Sequence, residues 1–153
     1  PGDAYDVVAP HPEGVSAAKA MEFALKDAGI EAKDVQYINT HGTSTHLGDI
    51  AETKAIANVF GDRTVNPNLR VSSTKSETGH MLGASGAAES VICIKAINND
   101  IVPPTINLEN LDEEVADLNY VPNKAEKMNV DVALTNSFGF GGHNAVLIYK
   151  KYK

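Results

Sequence analysis

Two histidines, one lysine and a glycine-punctuated run hold most of the side chains in this 153-residue sequence that can take part in chemistry. His41 opens the segment HGTSTHLGD, directly after the apolar run VQYIN, and His80 closes SSTKSETGH, directly before a run of small and branched apolar residues. Two readings are open for each imidazole. One is a structural histidine, partly buried and satisfied by hydrogen bonds. The other has both rings converge on one pocket, donating hydrogen bonds to an oxyanion or enolate or moving a proton near neutral pH. Lys75 lies among short polar residues just before His80. An isolated lysine is normally a solvated charge, but a partly buried ammonium would tune the field around both rings. Burial would demand an anionic partner, and Glu89 is the expected one.

The run Phe138-Gly139-Phe140-Gly141-Gly142 also reads two ways. It is either a wide turn with two core aromatics, or a loop whose glycines bring a backbone N–H to a reacting oxygen while a phenylalanine gates access. The residues alone leave both open. His46 and His143 raise a metal question, with Asp49 and Glu52 downstream of HGTSTH. A helical zinc motif spaces its histidines four apart on one face, whereas His41 and His46 are five apart in a Ser/Thr-rich turn. No metal site is expected, and Asp49 and Glu52 read instead as an N-cap and its capping-box partner. Cys93, the single cysteine, sits in ICIKA and reads as a core filler rather than a nucleophile.

These residues need elements to position them. Residues 1–13 are Pro- and Gly-rich and read as loop. Val15, Ala18, Met21, Leu25 and Ala28 recur at helical spacing, with Gly29 as the stop. Residues 35–39 read as a strand, 49–60 as a helix ended by Gly61, and 70–73 as a strand leading into a polar turn. From 82 to 97 the chain is apolar on nearly every face, interrupted by Glu89 and Lys95. It is too short to span a membrane, so it reads as a helix buried inside an α/β protein. Pro103 and Pro104 make VPPTINLEN an extended surface segment. Residues 131–135 and 144–149 are strand-like, joined by a stretch that reads as too long for a tight hairpin. The order implies a layered α/β domain with a mixed sheet.

Composition is ordinary for a globular domain, and the net charge of −7 argues against a nucleic-acid binder. One thiol allows no intrachain disulfide and fits a cytoplasmic location. The first residue is Pro1, and the opening residues read as the middle of a longer protein.

Taken together, HGTST at 41–45, GD..E at 48–52, SSTKS.TGH..GA.GA.E from 72 to 89, VPPTIN at 102–107 and NSFGFGGHN at 136–144 resemble the elongating β-ketoacyl-acyl-carrier-protein synthases, the type II enzymes most closely, with polyketide ketosynthases as near relatives. The resemblance covers nearly the whole chain. It implies a thiolase-like fold, of which residues 1–153 are the second half of an α-β-α-β-α layered ketosynthase with a buried central helix. The first half carries the family's active-site cysteine, so this chain lacks the nucleophile and is expected to be inactive alone.

The resemblance implies decarboxylative condensation of malonyl-carrier protein with an acyl thioester in fatty-acid elongation. His41 and His80 match the enolate-stabilising histidines, Lys75 the lysine that organises them, and Glu89 its support. Thr43 and Thr45 match residues that bond the pantetheine arm. Phe138 belongs to the substrate-binding set, while Phe140 matches an oxyanion-hole N–H and the acyl gate. The implied partner is acyl carrier protein, in a homodimeric intact enzyme, with no cofactor, no nucleic acid and no membrane span. His46 stands where many relatives have proline or a small residue, Glu77 where they are often hydrophobic, and His143 where some have threonine. The competing readings are a chain-length-factor-like or structural partner without catalysis, a polyketide ketosynthase and, third, a metal hydrolase. In isolation the second face of the central helix is expected to be an exposed apolar patch that drives self-association.

Overall fold

The computed structural model describes Gly2 and residues 11–152, so most of the loop expected over residues 1–13 lies outside it. Helix α1 (Val15–Ala28) ends at Gly29 in the left-handed conformation, the stop expected there. Strand β1 (Tyr37–Asn39) leads into helix α2 (His46–Phe60), and β2 (Arg70–Ser72) into the four-residue helix α3 (Lys75–Thr78). Helix α4 (Ser85–Asn99) follows a single 3-10 turn, and β3 (Ile101–Val102) and β4 (Glu126–Lys127) form a small antiparallel pair. Strands β5 (Val132–Gly139) and β6 (His143–Lys150) complete a four-stranded sheet of order β2-β1-β5-β6. Strand β1 runs parallel to β2 and β5, and β6 is antiparallel to β5, so the sheet is mixed.

Both faces of the sheet are covered, and strand alternation decides which residue goes where. Ile38, Val132 and Leu134 point to one face, where Ala17, Met21 and Leu25 of α1 and Ile56 of α2 complete the larger core. Tyr37 and Ala133 point to the other, against Cys93, Ala96 and Ile97 of α4. Gly14 sets how closely α1 meets α2. It has φ 61°, and a Cβ there would collide with the Ala51 carbonyl and lie 2.8 Å from Ala55 Cβ.

The structure corrects several expectations. Asp49 does not cap α2. The helix begins at His46 with Thr45 as the extended N-cap, because Gly48 leaves room beneath the Thr45 side chain. Asp49 falls in the first turn, and Glu52 turns inward instead of closing a capping box. Strands β5 and β6 form a tight hairpin after all: pairing continues to Gly139 opposite His143, leaving only Phe140–Gly142 as the connection, with Gly141 and Gly142 at φ 76° and 75°. The 75–78 turn is a short helix. The VPPTINLEN segment is not simply surface, since Val102 and Pro104 are buried and Thr105 Oγ1 accepts the Ser73 N–H at 2.9 Å.

Helix α4 buries Ser85, Glu89, Cys93, Ala96 and Ile97, but only on the sheet side. Val91 and Ile94 on its outer face are 56% and 42% exposed, and Leu147, on the α4 side of β6, is 52% exposed. Among the described residues no helix is long and apolar enough to cross a membrane.

Candidate active site

The loops that follow β1 and β2 meet at one end of the sheet. His41 is held from behind. Its backbone N–H and that of Gly42 each donate to the Glu52 carboxylate at 2.8 Å, one to each oxygen. Asn136 Nδ2 of β5 donates to the same carboxylate at 3.0 Å. Glu52 is buried, and desolvation raises its carboxyl pKa against the pull of these three donors. Gly42 (φ 37°) is fixed by crowding as well as by dihedral, since a Cβ would lie 2.6 Å from Ser73 Cβ. Ser73 Oγ in turn donates to the Gly42 carbonyl at 2.7 Å.

The His41 ring accepts the Phe138 N–H at Nδ1, at 3.3 Å. In the neutral ring this places the proton on Nε2. Burial, then the Lys75 ammonium and His80, lower its pKa from 6.5 to about 4, so the ring is neutral at physiological pH. His80 is oriented the same way: its Nδ1 accepts the Leu82 N–H at 3.1 Å and lies 3.3 Å from Ser85 Oγ. The two rings stand edge to face with centroids 5.8 Å apart, and the Phe138 ring packs on His41 at 5.6 Å.

Lys75 is buried and its ammonium donates to Glu89 of α4, the partner the sequence pointed to. The remaining Glu89 oxygen has no partner among the described residues, and desolvation raises the Glu89 pKa although Lys75 opposes it. Asn39, fully buried at the end of β1, donates to Thr74 Oγ1 at 2.9 Å and so locks α3 onto the sheet.

His41, His80, Lys75, Glu89 and Phe138 are therefore assembled. Thr43 and Thr45 lie on the loop between His41 and α2, at the same end of the sheet, flanking Ser44 in a left-handed conformation (φ 63°). Phe140 occupies the hairpin tip and is 78% exposed. Cys93 is fully buried under the Leu134 carbonyl, and burial pushes its thiol up to about 12, which disqualifies it as a nucleophile. His143 is exposed at the start of β6, and Asp49 and Glu52 do not join His46. The residues that sequence reasoning missed are the positioning ones. Glu52 was read as a cap, while Asn39, Asn136 and Ser85 carry no local signal, because their partners are distant in sequence.

The two imidazoles stand on a layered mixed sheet beside a buried lysine–glutamate pair, and solved structures of ketosynthases superpose closely on this chain. A β-ketoacyl synthase from Burkholderia phymatum matches with a TM-score of 0.92 and 37% identity, over 100% of this chain and 36% of that one. The complex of a type II polyketide acyl-carrier protein with its ketosynthase bound to the hexaketide matches with a TM-score of 0.93 and 36% identity, over 100% and 37%. The 3-oxoacyl-[acyl-carrier-protein] synthase 2 of Synechocystis sp. is 54% identical over 151 residues, 99% of this chain and 36% of its own length. The family described as beta-ketoacyl synthase, C-terminal domain, matches residues 1–109. The chain belongs to the β-ketoacyl synthase family, and it spans about a third of the length of the relatives it matches.

Proposed function

We propose that residues 1–153 are the C-terminal half-domain of a β-ketoacyl-[acyl-carrier-protein] synthase and supply the histidine side of its active site. The observation that carries this reading is the common orientation of the two imidazoles. Each Nδ1 accepts a backbone N–H, from Phe138 and from Leu82, which leaves Nε2 of each ring to carry a proton. Two such donors side by side, with ring centroids 5.8 Å apart, suit an anion that appears only during reaction.

In the proposed reaction a malonyl thioester loses carbon dioxide. The electron pair of the broken C–C bond becomes an enolate, whose oxygen accepts hydrogen bonds from His41 and His80. The enolate carbon then attacks the carbonyl of an acyl thioester held on a cysteine outside this chain, and the cysteine thiolate leaves. Preorganised donors aimed at developing charge stabilise the transition state more than the ground state. Lys75, paired with Glu89, lies close enough to lower the His41 pKa and so helps to keep that ring neutral. In this reading the Phe140 N–H assists at the tetrahedral oxygen and its ring gates the acyl group. Thr43 and Thr45 bond the pantetheine arm of acyl carrier protein.

Fatty-acid elongation is favoured over polyketide synthesis because identity is 54% to a 3-oxoacyl-[acyl-carrier-protein] synthase 2, against 36% to a polyketide ketosynthase. A non-catalytic chain-length-factor-like role is disfavoured, since it leaves the oriented histidines and the buried Lys75 without a task. The location proposed is cytoplasmic, and the intact enzyme a homodimer.

The test is condensation of acyl- with malonyl-carrier protein, by this chain and by a protein extended upstream to include the cysteine half. The extended protein alone should work, and replacing His80 by alanine should slow it by on the order of 100-fold. A folded, cysteine-containing extended protein that neither condenses nor decarboxylates would refute the assignment of both histidines.

A further inference from the structure

His46 has no place in the reaction above, yet it does not stand alone. It is the first residue of α2, and the structure brings Asp112 and Glu114, some 66 residues away, against both edges of its ring. Nδ1 lies 3.2 Å from Asp112 Oδ2 and Nε2 lies 3.4 Å from Glu114 Oε1. The Asp112 side chain is already oriented, since its other oxygen accepts the Glu114 N–H at 2.9 Å. One donor atom from each residue can be chosen so that all three lie within 4.8 Å of one another.

A metal ion at this cluster would take one imidazole nitrogen and one carboxylate oxygen from each of Asp112 and Glu114. One imidazole nitrogen with two carboxylate oxygens is a borderline donor set, suited to first-row divalent ions and less to magnesium or calcium, which take all-oxygen sets. Bonds of about 2.0–2.2 Å would need these donors to close in by less than an ångström on average, which exposed side chains do by small rotamer changes.

We propose that His46, Asp112 and Glu114 form a surface site for a divalent first-row transition ion, with Zn²⁺ as the best match, that ties the 109–118 segment to the start of α2. The tie has a structural consequence. Leu111 and Val115 of this segment cover a cavity of about 120 Å³ whose other walls include Asp49, Glu52 and Thr53, and the Ala116 N–H donates to Thr53 Oγ1 at 3.3 Å. The ion would pin the cover of the space directly behind the Glu52 clamp on His41.

The experiment reads His46 itself, because His41 and His80 offer Zn²⁺ a second imidazole pair. Carbethoxylation of each histidine is followed by mass spectrometry in the unaltered protein, with Zn²⁺, with Mg²⁺ and with neither. Calorimetric Zn²⁺ titrations compare it with His46→Ala, Asp112→Asn and Glu114→Gln. Zn²⁺ should protect His46 where Mg²⁺ does not. His46→Ala should lose one equivalent of Zn²⁺, and each carboxylate variant should bind that equivalent about tenfold or more weakly. If Zn²⁺ leaves the modification rate of His46 unchanged, the metal site is refuted. A His46→Ala isotherm that superposes on that of the unaltered protein refutes it equally.

Discussion

Glu52 is the residue whose replacement tests the local architecture most sharply. Its two oxygens receive the His41 N–H and the Gly42 N–H at 2.8 Å, and Asn136 adds a third bond at 3.0 Å. Glu52→Gln keeps the shape but turns one acceptor oxygen into an NH₂ donor. With the amide oxygen serving His41 and Asn136, the NH₂ faces the Gly42 N–H and two donors oppose each other. The loss is one charge-assisted hydrogen bond, about 1.5–3 kcal/mol, together with an unsatisfied buried N–H. A destabilisation of about 2–3 kcal/mol follows, or a fall in Tm of about 5–10 °C for a chain of this size. Differential scanning calorimetry reads it directly.

The clamp fixes the backbone of His41, so the loop should also shift, and a misplacement of about 1 Å near reacting atoms costs on the order of 100-fold in rate. Condensation by the upstream-extended protein reads that part. Glu52→Asp separates charge from reach: it keeps the carboxylate but withdraws it by one methylene, and should rescue neither property. A Glu52→Gln protein that melts with the parent, or condenses at its rate, would refute the clamp.

Other outcomes follow from the same geometry. The His41 ring should titrate near pH 4 by NMR; a midpoint near 6.5 would show that burial and the Lys75 charge do not act on it. Between those values the unfolded chain takes up a proton that the native ring refuses. The His41 contribution to stability is therefore complete above about pH 6.5 and lost as pH falls towards 4, and His41→Gln should flatten the urea midpoint over that window. Lys75→Met leaves the Glu89 carboxylate buried and unpaired, at a cost of about 3–5 kcal/mol in chemical denaturation, and Lys75→Met with Glu89→Gln should recover much of it. Gly42→Ala should both destabilise the chain and lower activity, because the new Cβ meets Ser73. An unchanged melt would mean that the loop yields freely. The chain alone should self-associate through Val91, Ile94 and Leu147; Val91→Lys with Ile94→Lys should give a monomer by light scattering, and a monomeric parent contradicts the reading.

How much of this was legible in the sequence depended on range. Helix α1 and the end of α2 were readable because periodicity and Gly29 or Gly61 are local signals. The assembly of His41, His80, Lys75 and Glu89 was legible because those residues sit in recognisable motifs. The N-cap of α2 was misplaced by four residues, at Asp49 instead of Thr45, since Asp49 and Glu52 match a capping box in type and spacing. Nothing local tells that Glu52 is needed by a loop ten residues upstream. The β5–β6 hairpin was judged too open because Asn136–Gly139 looked like turn chemistry, while cross-strand pairing with His143–Val146 holds those residues extended. The triad at His46 was unreadable in principle, because Asp112 and Glu114 belong to an irregular segment with no period to place it.

The bond from the Phe138 N–H to His41 Nδ1 joins two things usually considered separately. Phe138 lies on the hairpin whose tip carries Phe140, so the element proposed to admit the acyl chain also keeps the His41 proton on Nε2. A hairpin displaced far enough to break that bond would leave the imidazole free to move its proton to the wrong nitrogen. On the proposed reading of Phe140 as the acyl gate, entry and readiness would share one mechanical coordinate, with His41 held in tune only while the hairpin is shut.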